Sequence, residues 1–140
     1  MTRTEIVELV KRGQEAFARH DVASLTALHS DSCVVESPLG GTQQGKAAIG
    51  QVYRAFFEAF PDASYSVSEL VIDDDVVVQV GTLSGTDTGG FMGMVPSGKP
   101  AVFPMVVVYR VADGLIVSER RIYDFTGMLV QIGVLKAKPA

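Results

Sequence analysis

Ala101-Val102-Phe103-Pro104-Met105-Val106-Val107-Val108-Tyr109-Arg110-Val111-Ala112 runs into Asp113-Gly114 and resumes as Leu115-Ile116-Val117-Ser118-Glu119-Arg120-Arg121-Ile122-Tyr123-Asp124. Two β-rich runs parted by an Asp-Gly turn signal and patterned with period two predict strands over 101–112 and 114–124. Asp73-Asp74-Asp75 and Ser97-Gly98-Lys99-Pro100 punctuate the preceding chain in the same way, so strands are also expected over 64–72 and 76–88. Successive strands joined by turns make a meandering antiparallel sheet.

Upstream the apolar period changes. Thr2 and Glu5 can form a capping box, and Ile6, Leu9, Val10, Gly13, Ala16 and Phe17 recur at helical spacing, which predicts a helix over 3–19. Asp21 can cap a short second helix carrying Val22, Leu25 and Leu28, followed by a short strand from Cys33 to Glu36. Pro38 to Gly45 is a loop by composition, and Lys46 to Phe60 is a third helix, with Ile49, Val52, Tyr53, Phe56 and Phe60 on one stripe and Pro61 as its stop. Helices first and strands after, without β–α–β alternation, argue for an α+β fold in which helices cover one face of a curled sheet. A sheet wrapped around a long helix leaves a concave, apolar cavity at its open end, the usual form of a small-molecule site.

Composition narrows the function classes. The 140 residues suit one domain, and 47% hydrophobic against 20% charged residues are enough to bury a core. Net charge is −4 with no basic cluster, so nucleic acid is not an expected partner. Cys33, the single cysteine, cannot close an internal disulfide and reads as a small core residue. Charge from residue 3 onward leaves no room for a secretory signal, and no run reaches the ~18 apolar residues that would cross a bilayer. The expectation is a soluble cytoplasmic protein with no membrane partner. No residues at metal-ligand spacing and no phosphate-cradling glycine loop occur, so no metal or cofactor is expected.

Ala27 to Gly40, followed by Gly45-Lys46-Ala47-Ala48-Ile49, resembles the first half of bacterial ketosteroid isomerases of the nuclear-transport-factor-2-like superfamily. Phe60-Pro61-Asp62, Gly85-Thr86-Asp87, Gly93 to Lys99 and Asp124 to Gly133 resemble the SnoaL-like polyketide cyclases. The resemblance implies a cystatin-like cone with an internal apolar pocket. The isomerase mechanism needs an Asp base with a Tyr and a protonated Asp as donors. Those positions match Ser37, Gly13 and the run Val106-Val107-Val108, and a hydroxyl is no substitute for a carboxylate base near pH 7, so steroid isomerisation by that route is excluded.

By the cyclase resemblance, Asp124 is the expected general acid and base. Ser118, Arg120, Ile122 and Asp124 share one face of the last strand and Glu119, Arg121 and Tyr123 the other; following the resemblance, the Asp124 face is taken as the inner one. Asp124 can alternatively cap the turn behind it through Thr126 or Gly127. Asp87 stands where the family often has a histidine, and with Arg120 and Asp124 it can form the Asp–Arg–Asp set of epoxide-hydrolysing relatives; its plainer reading is an exposed turn aspartate beside Gly89-Gly90. Glu36, Ser37, Tyr53, Phe56, Phe91, Met94 and Met105 are the expected pocket contacts, and His20 and His29, at predicted helix ends, read as structural.

The function expected is a cofactor-independent acid–base enzyme acting on a small, largely apolar cyclic or polyketide-like carbonyl compound, of cyclase or isomerase type. Epoxide hydrolysis and a non-catalytic binding or assembly module are the alternatives. The convex sheet face, with Val106, Val108 and Phe103 or their alternates, is expected to pair two copies in a homodimer.

Overall fold

A computed structural model describes residues 1–138 of the chain. Helix α1 (Arg3–Ala18) starts on the capping box: Thr2 Oγ1 accepts from the Glu5 amide at 3.1 Å, and the Thr2 amide donates to the Glu5 carboxylate at 2.7 Å. Helix α2 (Val22–Ala27) is capped by Asp21, which accepts from the Ser24 amide at 3.0 Å. Strands β1 (His29–Ser37) and β2 (Gly41–Gln44) form a hairpin, and α3 (Lys46–Ala59) follows from Gly45, whose φ of 84° favours glycine. Then come β3 (Ser64–Asp73), β4 (Val76–Thr86), a 3-10 turn at Phe91–Gly93, β5 (Pro100–Ala112), β6 (Leu115–Tyr123) and α4 (Phe125–Gln131).

The six strands form one unclosed sheet in the order β2-β1-β6-β5-β4-β3, with α1 against β3 and α3 against β1. The fold is the α+β cone expected, with differences in detail. The sheet is mixed, because β1 enters parallel to β6 after the helical segment, while every other neighbouring pair is antiparallel. Residues 41–44, expected as loop, pair with Val34–Ser37 as β2, and β1 begins four residues earlier than Cys33. Helix α4 was not anticipated; Met128 and, just beyond it, Ile132 bury its inner side.

Inward alternation along β5 buries Ala101, Phe103, Met105, Val107, Tyr109 and Val111. Phe103 therefore lies inside, whereas Val106 and Val108 stay half-buried on the outer face. Along β6 the alternation changes phase. Val111 pairs with Ile116 but Arg110 pairs with Ser118, so a bulge at Val117 puts both Ile116 and Glu119 inside.

Candidate active site

The concave face encloses about 120 Å³, walled mainly by apolar side chains from α1, α2, α3 and the sheet. A cavity of about 150 Å³ holds a molecule the size of benzene, so the enclosed part suits a single ring. Four polar groups from three elements meet on one side of it. The bulge turns Glu119 and Arg121 inward from β6, the first residue of β1 contributes His29, and the apolar stripe of α3 contributes Tyr53.

These groups bond one another. His29 Nδ1 donates to the Leu25 carbonyl at 2.8 Å, and its Nε2 lies 3.2 Å from one Glu119 carboxylate oxygen. Each nitrogen of the ring thus faces an oxygen acceptor. Arg121 Nε donates to the other Glu119 oxygen, and a terminal guanidinium nitrogen donates to the Tyr53 hydroxyl at 2.9 Å, with the guanidinium 4.6 Å from the Tyr53 ring centre. Burial pushes the Glu119 carboxyl up, but the Arg121 charge and the His29 bond outweigh it and hold it down at about 2. Glu119 is thus ionised at neutral pH. Burial works against the Arg121 charge, yet the Glu119 carboxylate beside it makes the guanidinium hold its proton more firmly than usual. Burial also drives the Tyr53 phenol well above its ordinary range, so it stays a neutral donor.

Across the cavity, Gln79 Nε2 donates to the Tyr109 hydroxyl at 3.0 Å, and Tyr65 donates to the Met105 carbonyl at 2.8 Å. Gly81 permits this placement of Tyr65, since a Cβ there would sit 2.8 Å from the Tyr65 ring and 2.5 Å from the Ser66 carbonyl oxygen.

The three residues expected to act on substrate are not brought together here. Asp124 is exposed and caps α4, accepting from the Gly127 amide at 2.9 Å, and Gly127 leaves the room its carboxylate needs. Arg120 lies on the outer face in an exposed pair with Glu36 at 3.1 Å, because Glu36 and Arg120 are cross-strand neighbours in the parallel β1–β6 pairing. The expectation that the Asp124 face looks inward is corrected: the opposite face lines the cavity. Asp87 is buried rather than exposed, but its carboxylate is engaged by the amides of Gly90, Phe91 and Ser97 and by the Ser97 hydroxyl, which ties the loop before β5 together.

Of the expected pocket contacts, Ser37, Tyr53, Phe56 and Met105 line the cavity. Glu36 does not, Phe91 is buried between Phe60 and Phe125, and Met94 is 40% exposed. His20 donates to or accepts from neither Glu119 nor Arg121; it bonds the Ala63 carbonyl at 2.8 Å and stacks on Phe57. His29, read as a helix-end residue, is instead part of the polar cluster, and only its position across from β6 reveals that. Cys33 is fully buried, and burial pushes its thiol to about 11. Among the described residues no group of three or more His, Cys, Asp or Glu is placed to hold a metal ion, and no helix is long and apolar enough to cross a membrane.

The comparisons with known proteins agree with this architecture. No curated protein matches the chain. AclR from Streptomyces galilaeus, a proposed hydroxylase, is 25% identical, with a TM-score of 0.85 over 99% of this chain and 87% of its own. IdmH from Streptomyces antibioticus, a proposed polyketide cyclase, is 28% identical, with a TM-score of 0.77 over 91% of this chain and 97% of its own. A SnoaL-like protein from Jannaschia sp. CCS1 shares the fold at 24% identity, with a TM-score of 0.84 over 97% of this chain and 94% of its own. The family profile of the SnoaL-like polyketide cyclases matches residues 7–132, nearly the whole described chain, and the protein belongs to that family.

Proposed function

We propose that the protein is a cofactor-independent acid–base enzyme of cyclase or isomerase type, acting on a small, largely apolar carbonyl compound. One observation carries the reading: an ionised carboxylate, Glu119, lies in an apolar cavity between His29 and Arg121, with Tyr53 on the far side of the guanidinium. The Tyr53 hydroxyl accepts from Arg121, which leaves its own proton for a ligand oxygen. A carbonyl oxygen seated there meets donors already held in place, the arrangement that favours charge developing on that oxygen as an α-proton leaves.

Glu119 is the carboxylate among the cavity-lining residues and is assigned the proton. Held at about 2 it is a weak base. Once the ligand oxygen becomes an enolate, it shares the Arg121 charge, less of that charge holds Glu119 down, and the upward push of burial gains weight. Proton affinity therefore rises as the reaction proceeds, and the His29 bond steadies the pair. The family and the proposed cyclase role of IdmH support this class of reaction.

The direct test is α-proton exchange into deuterated water, followed by NMR, for a panel of small cyclic ketones and keto esters. The parent is expected to catalyse exchange, Tyr53→Phe and Glu119→Gln to slow it by about a hundredfold, and Asp124→Asn to leave it unchanged. Loss on Asp124→Asn, or equal rates in all four proteins, overturns the assignment. A second reading, a ligand holder without chemistry, is favoured by both Glu119 oxygens being already bonded; binding without exchange selects it.

We propose as well that two copies pair through the outer sheet face, where Val102 and Ile122 are 56% and 49% exposed beside half-buried Val106 and Val108. A monomer on gel filtration of the parent removes that proposal.

A further inference from the structure

We propose that the cavity recognises a ligand with two oxygen functions, a carbonyl at one edge of a single ring and a hydroxyl or enol at the opposite edge. The inference rests on the carbonyl reading above and adds a second, separate anchor to it.

The anchor is the Gln79–Tyr109 pair. Arg121 on β6, Val107 on β5 and Gln79 on β4 are cross-strand partners in one row of the sheet. Two strand spacings put the Cα atoms of Arg121 and Gln79 about 10 Å apart, with the apolar Val107 as the floor between them. The two polar ends are therefore held apart by the sheet itself, and Tyr53 of α3 joins the Arg121 end through its bond to the guanidinium.

At the Gln79 end the hydrogen-bond inventory is incomplete. Gln79 is 9% exposed and Tyr109 3%, and both line the cavity. The Gln79 amide nitrogen donates to the Tyr109 oxygen. Among the described residues, the Tyr109 hydroxyl proton has no acceptor and the Gln79 side-chain carbonyl no donor, although an amide oxygen and a phenol each have further capacity. Burial holds the Tyr109 phenol in its neutral, donating form. The Tyr109 proton and the Gln79 oxygen side by side match a hydroxyl or enol, which accepts from Tyr109 and donates to Gln79; the second hydrogen of the Gln79 amide, also without an acceptor among the described residues, is a further donor at that end. A second bare carbonyl would leave the Gln79 oxygen unmet, and an alkyl group would leave both unmet in an apolar surrounding, which costs affinity. The enclosed 120 Å³ limits the spacer to about one ring.

Calorimetric titration with cyclohexanone and 4-hydroxycyclohexanone tests this on the intact protein. The parent is expected to bind the hydroxyketone about tenfold tighter than the ketone. Tyr109→Phe, which keeps the ring, and Gln79→Leu should each bring the two affinities together, read as the ratio of the two dissociation constants within each variant. Tyr53→Phe should weaken both ligands alike. Equal affinities in the parent, or a preference that survives in both Tyr109→Phe and Gln79→Leu, overturns the two-ended site. Failure of the enolisation reading looks different: both ligands bind with the predicted preference, yet no α-proton exchanges. If neither ligand binds, both proposals fall.

Discussion

Strand β6 carries an arginine on each face, and each meets a glutamate. Outside, Arg120 pairs with Glu36 across the parallel β1–β6 ladder, with side chains 64% and 50% exposed. Inside, Arg121 pairs with Glu119, with side chains 12% and 6% exposed. The chemical groups are the same and the surroundings are not. Water screens the outer pair, and holding two long side chains together offsets most of its attraction. The inner pair sits in a medium where each charge depends on its partner and a lone one is costly. One strand thus shows that environment, rather than residue type, makes a carboxylate and a guanidinium into a site.

The sharpest way to break this contrast is Glu119→Gln, which leaves Arg121 buried without its counter-charge. Chemical denaturation should show a loss of about 3 kcal/mol, whereas Glu36→Gln should cost under about 1 kcal/mol. Equal losses would mean that the inner pair is solvated and the contrast false.

Acid should separate the faces as well. Glu119 titrates near 4.5 when unfolded and is held at about 2 in the fold. Above pH 4.5 its contribution to stability is fully present. As pH falls from 4.5 toward 2, the unfolded chain takes up a proton that the folded chain refuses, and the contribution is lost. Stability measured across that window should fall less steeply in Glu119→Gln than in the parent; parallel curves would refute the assignment of an ionised buried carboxylate.

A smaller effect sharpens the comparison at the end of the same strand. Removing the α4 cap by Asp124→Ala should cost about 1 kcal/mol, read as a lowered denaturation midpoint, with ligand binding in the cavity unaltered. Weakened binding would return Asp124 to the site. The smallest effect expected is on the outer surface, where Arg120→Gln should shift stability by a few tenths of a kcal/mol.

Much of the fold was legible because periodicity is local. The helical stripe of α1, the Thr2–Glu5 cap, the stop at Pro61 and the two-residue period of β5 depend on neighbours in the chain. The parallel docking of β1 against β6 was not legible, because it joins residues some eighty positions apart, and β2 was hidden in a stretch whose glycines and polar residues look like loop. At the site, Tyr53, Phe56, Ser37 and Met105 could be picked out by stripe, alternation or resemblance. His29 could not, since its partner Glu119 lies ninety residues away.

The amino-acid pattern by itself determined an α+β cone with an apolar interior, and it divided β6 into two sets of residues, one with Glu119 and Arg121 and one with Arg120 and Asp124. Which set faces the cavity was decided only in three dimensions. A single extra residue at the Val117 bulge reverses the phase of alternation, and with period two a one-residue shift sends every later side chain to the other face. That shift buries Glu119 and Arg121 against His29 and Tyr53 and leaves Asp124 outside to cap a helix.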